Sequence, residues 1–149
     1  RGSLVIPESV TSIGSQSFHN CYRLNKLTIE GKVKIIGSGA FQYCSSLTGS
    51  LTIPSTVEEI GFCAFESCSG FSGSLEFPSC LHSIGPSAFE GCSGFSGSLI
   101  IPDFVTKIEN SVFKDCSGFS GSLNLPKNTT SIGSEAFSHC SGFCSSLII

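Results

Sequence analysis

The sequence predicts a solenoid, mainly β or of α/β type, whose stacked coils pair their strands in parallel. Three observations predict it. The chain repeats: counted from the leucine that opens each unit, Leu27, Leu51, Leu75, Leu99, Leu123 and Leu147 lie 24 residues apart, and only the step from Leu4 to Leu27 is one residue shorter. A fixed period of this length marks an array of stacked supersecondary units. Within each unit the apolar positions alternate as they do along a strand. Finally, one unit buries too few side chains to offset the ordering of its own backbone, so each coil needs its neighbours. The repeats fall at about 3–26, 27–50, 51–74, 75–98, 99–122 and 123–146, with a partial unit at 147–149, in one solenoid spanning 1–149.

Each unit opens on a strand. Ile6, Ile29, Ile53, Phe77, Ile101, Leu125 and Ile149 follow the opening leucine by two and share its inward face. Pro7, Pro54, Pro78, Pro102 and Pro126 come next. A proline cannot donate to a sheet ladder, so it ends the strand at a corner. Glu30 stands at this position in the second repeat, which predicts a different corner there.

A second extended piece follows on the opposite wall. Its inward positions are Val10, Val33, Val57, Leu81, Val105 and Thr129, then Ile13, Ile36, Ile60, Ile84, Ile108 and Ile132. Gly14, Gly37, Gly61, Gly85 and Gly133 come directly after, and imply a positive φ or a close backbone approach. Glu109 takes this place in the fifth repeat and predicts an altered bend.

The unit closes through a turn and an aromatic return. Phe18, Phe41, Phe65, Phe89, Phe113 and Phe137 each precede a cysteine by three residues, a spacing that suits a short helical or 3-10 turn. A second column, Phe71, Phe95, Phe119 and Phe143, with Leu24 and Leu47 in the earlier units, sits in Gly- and Ser-rich segments that turn back to the next strand.

These residues carry a resemblance. The pattern LxIPxxVxxIGxxAFxxC, nearly whole in residues 51–68, is similar to the BspA-like (Treponema pallidum-type) leucine-rich repeat, and it recurs in six successive units. The additional Gly-Ser before most of these leucines resembles a variant found in surface proteins of parasitic protists. The resemblance implies a curved, right-handed leucine-rich-repeat array with a parallel sheet on its concave face. It also implies a role in cell-surface adhesion and in binding host proteins.

Composition excludes several functions. A formal charge of −3 and a pI near 5.5 give none of the basic surface that nucleic-acid binding requires. Charge is nonetheless segregated: Arg23, Lys26, Lys32 and Lys34 lie early, and no cation follows until Lys107, an interval that holds Glu58, Glu59, Glu66, Glu76 and Glu90. No apolar run approaches the ~20 residues of a membrane span, so this segment is not expected to insert directly into a membrane. Both ends fall inside the repeat pattern, which predicts a fragment of a larger protein without caps.

Of the nine cysteines, Cys21, Cys44, Cys68, Cys92, Cys116 and Cys140 share one repeat position. They read as small buried groups whose thiols meet turn carbonyls. Cys63, Cys80 and Cys144 fall at three different positions, which argues against disulfides among them. Neither they nor His19, His82 and His139 form the paired ligand spacing of a zinc site, and no nucleophile or phosphate-loop motif is present, so catalysis, metal and cofactors are not expected.

The expected activity is therefore binding. Side chains next to the opening leucine face outward from the sheet, and Thr28, Thr52, Glu76, Ile100 and Asn124 form a varied row suited to a protein partner on a host or neighbouring cell, at the cell surface or in a secreted protein. Exposed apolar ends at Leu4, Ile6, Leu147 and Ile149 predict homo-oligomers. End-to-end assembly into a coat or fibre, and an intracellular scaffold, are the alternatives. Asn128-Thr129-Thr130 is a candidate glycosylation sequon.

Overall fold

The computed structural model describes residues 2–143 and shows a parallel solenoid in which each 24-residue repeat is one coil. Its first wall holds the opening strands β1 (Gly2–Ile6), β3 (Leu24–Ile29), β7 (Leu99–Ile100) and β9 (Leu123–Asn124). The second wall holds β2 (Ser12–Ile13), β4 (Ile35–Ile36), β5 (Glu59–Ile60), β6 (Ser83–Ile84), β8 (Lys107–Ile108) and β10 (Ser131–Ile132). Pairing along the strands joins equivalent residues of adjacent coils, as in Leu4 with Leu27 and Ile60 with Ile84, and shifts register only at the strand entry, as in Gly2 with Leu24 and Gly73 with Phe95.

The corner between these walls is a turn closed from the proline carbonyl, with Val57 N–H donating to Pro54 O at 3.1 Å and Leu81 N–H to Pro78 O at 3.1 Å. Glu30 alters its corner as expected. Its N–H, which a proline would lack, donates to Ile6 O at 2.9 Å, and the β1–β3 pair is the longest in the array.

The AFxxC segment is not a helical turn; no helix forms among the described residues. It is a run of linked β-turns. Gln16, Gly39, Cys63, Ser87, Ser111 and Glu135, two residues past the glycine column, all have φ between 52° and 63°. Asn20, Tyr43, Ser67, Gly91, Asp115 and His139, four residues further on, have φ between 57° and 72°. These left-handed residues rotate alternate peptide planes towards the next coil. Phe41 N–H thus donates to Ala64 O at 2.8 Å and Tyr43 N–H to Glu66 O at 2.8 Å, while Cys44 N–H closes its own turn on Phe41 O at 3.1 Å. A helix would have spent all of these donors inside one coil.

Two aromatic stacks fill the interior. Rings of Phe18, Phe41, Phe65, Phe89, Phe113 and Phe137 follow one another at 5.3–5.7 Å and 8–14°. Phe71, Phe95, Phe119 and Phe143 stack at 5.5–6.3 Å, edge-on to the first column, as in Phe65–Phe71 at 6.4 Å. Offset and edge contacts of this kind add ~0.5–1.5 kcal/mol per pair beyond area burial.

The glycine column serves close approach, not positive φ. A Cβ at Gly85 would lie 2.6 Å from Phe62 N and 2.8 Å from Gly61 C, both rigid backbone. Where Glu109 replaces the glycine, the second wall breaks: β2, β4, β5 and β6 form one sheet, β8 pairs only with β10, and no pairing joins β6 to β8. Gly85→Ala is expected to lower unfolding stability by about 1–3 kcal/mol in denaturant titration. Glu109→Gly is expected to extend the sheet, seen as slowed hydrogen exchange at amide 109. A Gly85→Ala chain as stable as its parent would remove this steric account.

Candidate binding face

The first wall carries the expected row in register. Val5 pairs with Thr28, Thr52 with Glu76, and Ile100 with Asn124, so the varied side chains stand side by side across coils. Val5, Thr52, Glu76 and Ile100 are exposed, whereas Thr28 and Asn124 are half-buried. Asn124 Oδ1 is buried without a hydrogen-bond partner. The serine row beside it knits itself together: Ser122 N–H donates to Ser98 Oγ at 3.0 Å, and the two hydroxyls lie 3.2 Å apart.

The sequence row misses part of a groove on this wall. A groove of about 680 Å³ opens between the fourth and fifth coils, lined chiefly by Glu76, Phe77, Ile100, Pro102, Asp103 and Phe104. Glu76 and Ile100 belong to the row; Phe104, 67% exposed, and Asp103 do not. The signal for Phe104 was a bulky aromatic where the other coils carry Ser9, Lys32, Thr56, Cys80 and Asn128.

Phe77 lines the groove. It replaces the isoleucine or leucine of the other coils, and its ring reaches forward edge-on to Phe89 at 5.5 Å and Phe113 at 6.2 Å. Beside that ring, no strand pairing joins Leu75–Phe77 to Leu99–Ile101 among the described residues. Among the described residues, pairing is also absent between Leu27–Ile29 and Leu51–Ile53, whereas between the fourth and fifth coils the second wall has no pairing and the first keeps only the Gly73–Phe95 bridge.

The other expected residues lie elsewhere. Leu4 is half-buried and Ile6 only 5% exposed, so the described end offers little of Ile6 to a second molecule. Leu147 and Ile149 lie outside the described residues, as does Cys144. Asn128 is exposed in the turn after Pro126, where Thr129 Oγ1 donates to Pro126 O at 2.7 Å in place of the usual apolar contact.

The cysteine column behaves as a set of buried donors. Each thiol bonds the phenylalanine carbonyl of the preceding coil: Cys44 to Phe18, Cys68 to Phe41, Cys92 to Phe65, Cys116 to Phe89 and Cys140 to Phe113, at 2.9–3.1 Å. Cys80 does the same on the second corner, reaching Ser55 O and Val57 O. All eight described cysteines are free thiols. Burial pushes the Cys44 and Cys140 thiols up from 9.0 to about 11, and burial with Glu66 nearby pushes Cys63 to about 12. Cys68, Cys92 and Cys116 rise further, by burial. No cluster of three or more His, Cys, Asp or Glu suited to a metal occurs among the described residues, and no helix is long and apolar enough to cross a membrane.

With this geometry, the comparisons define the class. The model of the BspA-type leucine-rich repeat region matches six copies over residues 2–119 and 38–148, and the chain belongs to that family. Its fold is similar to the Treponema pallidum leucine-rich repeat protein (TM-score 0.79, 23% identity, covering 96% of this chain and 78% of that one). It is also similar to a leucine-rich repeat protein of Bacteroides ovatus (TM-score 0.73, 29% identity, 93% of this chain and 43% of that one). No curated protein matches the chain.

The thiols set an alkaline limit. Unfolded cysteines lose protons near pH 9, while their folded counterparts hold them to about 11 or beyond, so the folded state binds more protons in between. Stability is expected to be fully present below pH 9 and to fall as pH rises through 11. Replacing Cys44 and Cys140 by Ala should flatten that decline in thermal melts across pH 8–11 (about 8 to about 11, the span of the shift). An unchanged slope would show that Cys44 and Cys140 contribute nothing to it.

Proposed function

We propose that this chain is a non-enzymatic protein-binding module of a cell-surface adhesion protein, contacting proteins of a host or neighbouring cell through its first wall. Leucine-rich-repeat proteins are in general protein-interaction modules, and the BspA-type family to which the chain belongs is associated with the cell surface. One observation carries the reading: a stacked interior holds Val5 with Thr28, Thr52 with Glu76, and Ile100 with Asn124 as three in-register pairs on one face. The interior columns barely vary from coil to coil, whereas this row ranges from acid to amide to aliphatic. A scaffold of that kind separates stability from recognition. Asn128 is proposed as a glycan acceptor beside the same wall, where its exposure suits modification.

The test is binding of the purified chain to intact cells, measured with and without prior protease treatment of the cells. Thr52→Arg and Ile100→Arg are expected to weaken binding at least about tenfold, as steric and charge intrusions into a contact do. Glu59→Arg, exposed on the second wall, is expected to leave it unchanged. Binding that survives protease, or that all three variants reduce alike, would sink the reading.

A further inference from the structure

We infer that the groove between the fourth and fifth coils is a docking slot for a short extended segment of a partner protein in which an aromatic or large aliphatic side chain is flanked by arginine or lysine. The inference rests on the protein-binding reading of the first wall and names the chemistry recognised there. The groove is set apart by its construction. At this interface, where the repeat carries Phe77 and Glu109, the second wall has no pairing and the first keeps only the Gly73–Phe95 bridge, while the aromatic stack of Phe89 on Phe113, at 5.7 Å, still spans it. The slot is therefore open on the first wall and anchored behind.

Its lining has two parts. Phe77, Ile100, Pro102 and Phe104 supply an apolar floor and rim, with Ile100 59% and Phe104 67% exposed. Such side chains, exposed together on a concave surface, favour removal of an apolar anchor from water. Glu76 and Asp103 supply the charge. Glu76 accepts a hydrogen bond from Ser74 Oγ at 3.2 Å, and no cation lines the groove. The charged side chains lining the slot are both carboxylates, and from Ile35 to Thr106 the chain carries no lysine or arginine, an arrangement that favours a cationic segment. The same field disfavours nucleic acid and anionic lipid. An extended segment fits because its side chains alternate, so that an apolar residue can point into the slot while its neighbours face the carboxylates at the rim.

A second copy of this chain is the competing occupant, since Tyr22 and Arg23 are an exposed aromatic–cation pair. They are less suited. The Arg23 guanidinium already lies over the Tyr22 ring at 5.9 Å, and both belong to a folded turn instead of an extended strand.

The chain contains no tryptophan, which makes a direct probe possible. The probe is an acetylated, amidated pentapeptide of glycine, arginine, tryptophan, arginine and glycine; its control carries glutamate for arginine. Saturable blue-shifted fluorescence is expected for the arginine peptide and not for the control. The double variant Glu76→Gln with Asp103→Asn should weaken it at least about fivefold, as loss of two partly exposed ion pairs implies. Phe104→Ala should abolish it. These side chains are exposed or line an open groove, so circular dichroism should be unchanged and will identify a variant that fails to fold; for such a variant, resonance shifts of the Ile100 methyl groups in the parent chain replace it. Equal binding of the two peptides, no binding of either, or indifference to the variants would overturn the inference. So would concentration-dependent self-association, by sedimentation, that Phe104→Ala removes, since the occupant would then be a second copy. Loss of cell binding in Thr52→Arg with no peptide bound would leave the wall reading standing and the slot refuted. Peptide binding with cell binding indifferent to Thr52→Arg and Ile100→Arg would do the reverse.

Discussion

Stacking at a fixed translation of one coil is the constraint on which everything else in this molecule depends. Each backbone donor that leaves a coil must meet the acceptor at the same position in the next, and each side chain in a column must fit against its own equivalent. The flat aromatic rings satisfy this by lying nearly parallel over one another. The thiols satisfy it by reaching back one coil to a carbonyl that already accepts an N–H of its own coil, so that each such oxygen takes a second bond from the next coil. The glycine column satisfies it by having no Cβ where two backbones nearly touch. A side chain that violates the translation is felt at once by its neighbours, because no other part of the fold can absorb the mismatch.

That dependence explains how much of the fold could be read from the residues. The period, the strand columns, the proline corners and the thiols bonded to carbonyls all follow from recurrence at one position, because equal spacing in sequence becomes adjacency in space. The backbone of the AFxxC segment did not follow. Seven of its twelve left-handed positions hold residues with no local signature for positive φ, such as Gln16, Cys63, Ser87, Glu135 and Tyr43, while the glycine column serves another purpose. Coil-to-coil hydrogen bonding over-determines those angles. Such a cause is collective and leaves no mark on the single residue.

The candidate site divides along the same line. The outward row was legible because strand alternation fixes which side chains leave the core. The groove was not, because it is lined from two coils, by Glu76 and Phe77 of one and Ile100, Asp103 and Phe104 of the next, at the interface where the departures at Phe77 and Glu109 meet only once the coils are stacked. Each departure was visible in the sequence as an anomaly in its own column. Their meeting at one interface was not.

The interrupted interface also bears on how this array would respond to a pull along its axis. In a solenoid, force passes from coil to coil through whatever joins them, and the weakest junction yields first. Elsewhere the second wall adds a hydrogen-bonded ladder to the aromatic stacks, as where Gly61 N–H meets Ile36 O at 2.8 Å. Between the fourth and fifth coils that ladder is missing, and tension falls on the phenylalanine rings and the turn bonds that remain, such as Ser87 N–H to Asn110 O at 2.9 Å. Rings slide where ladders unzip, so this junction is a compliant link in an otherwise stiff rod. A partner held in the slot would sit at the one place where load and shape are coupled.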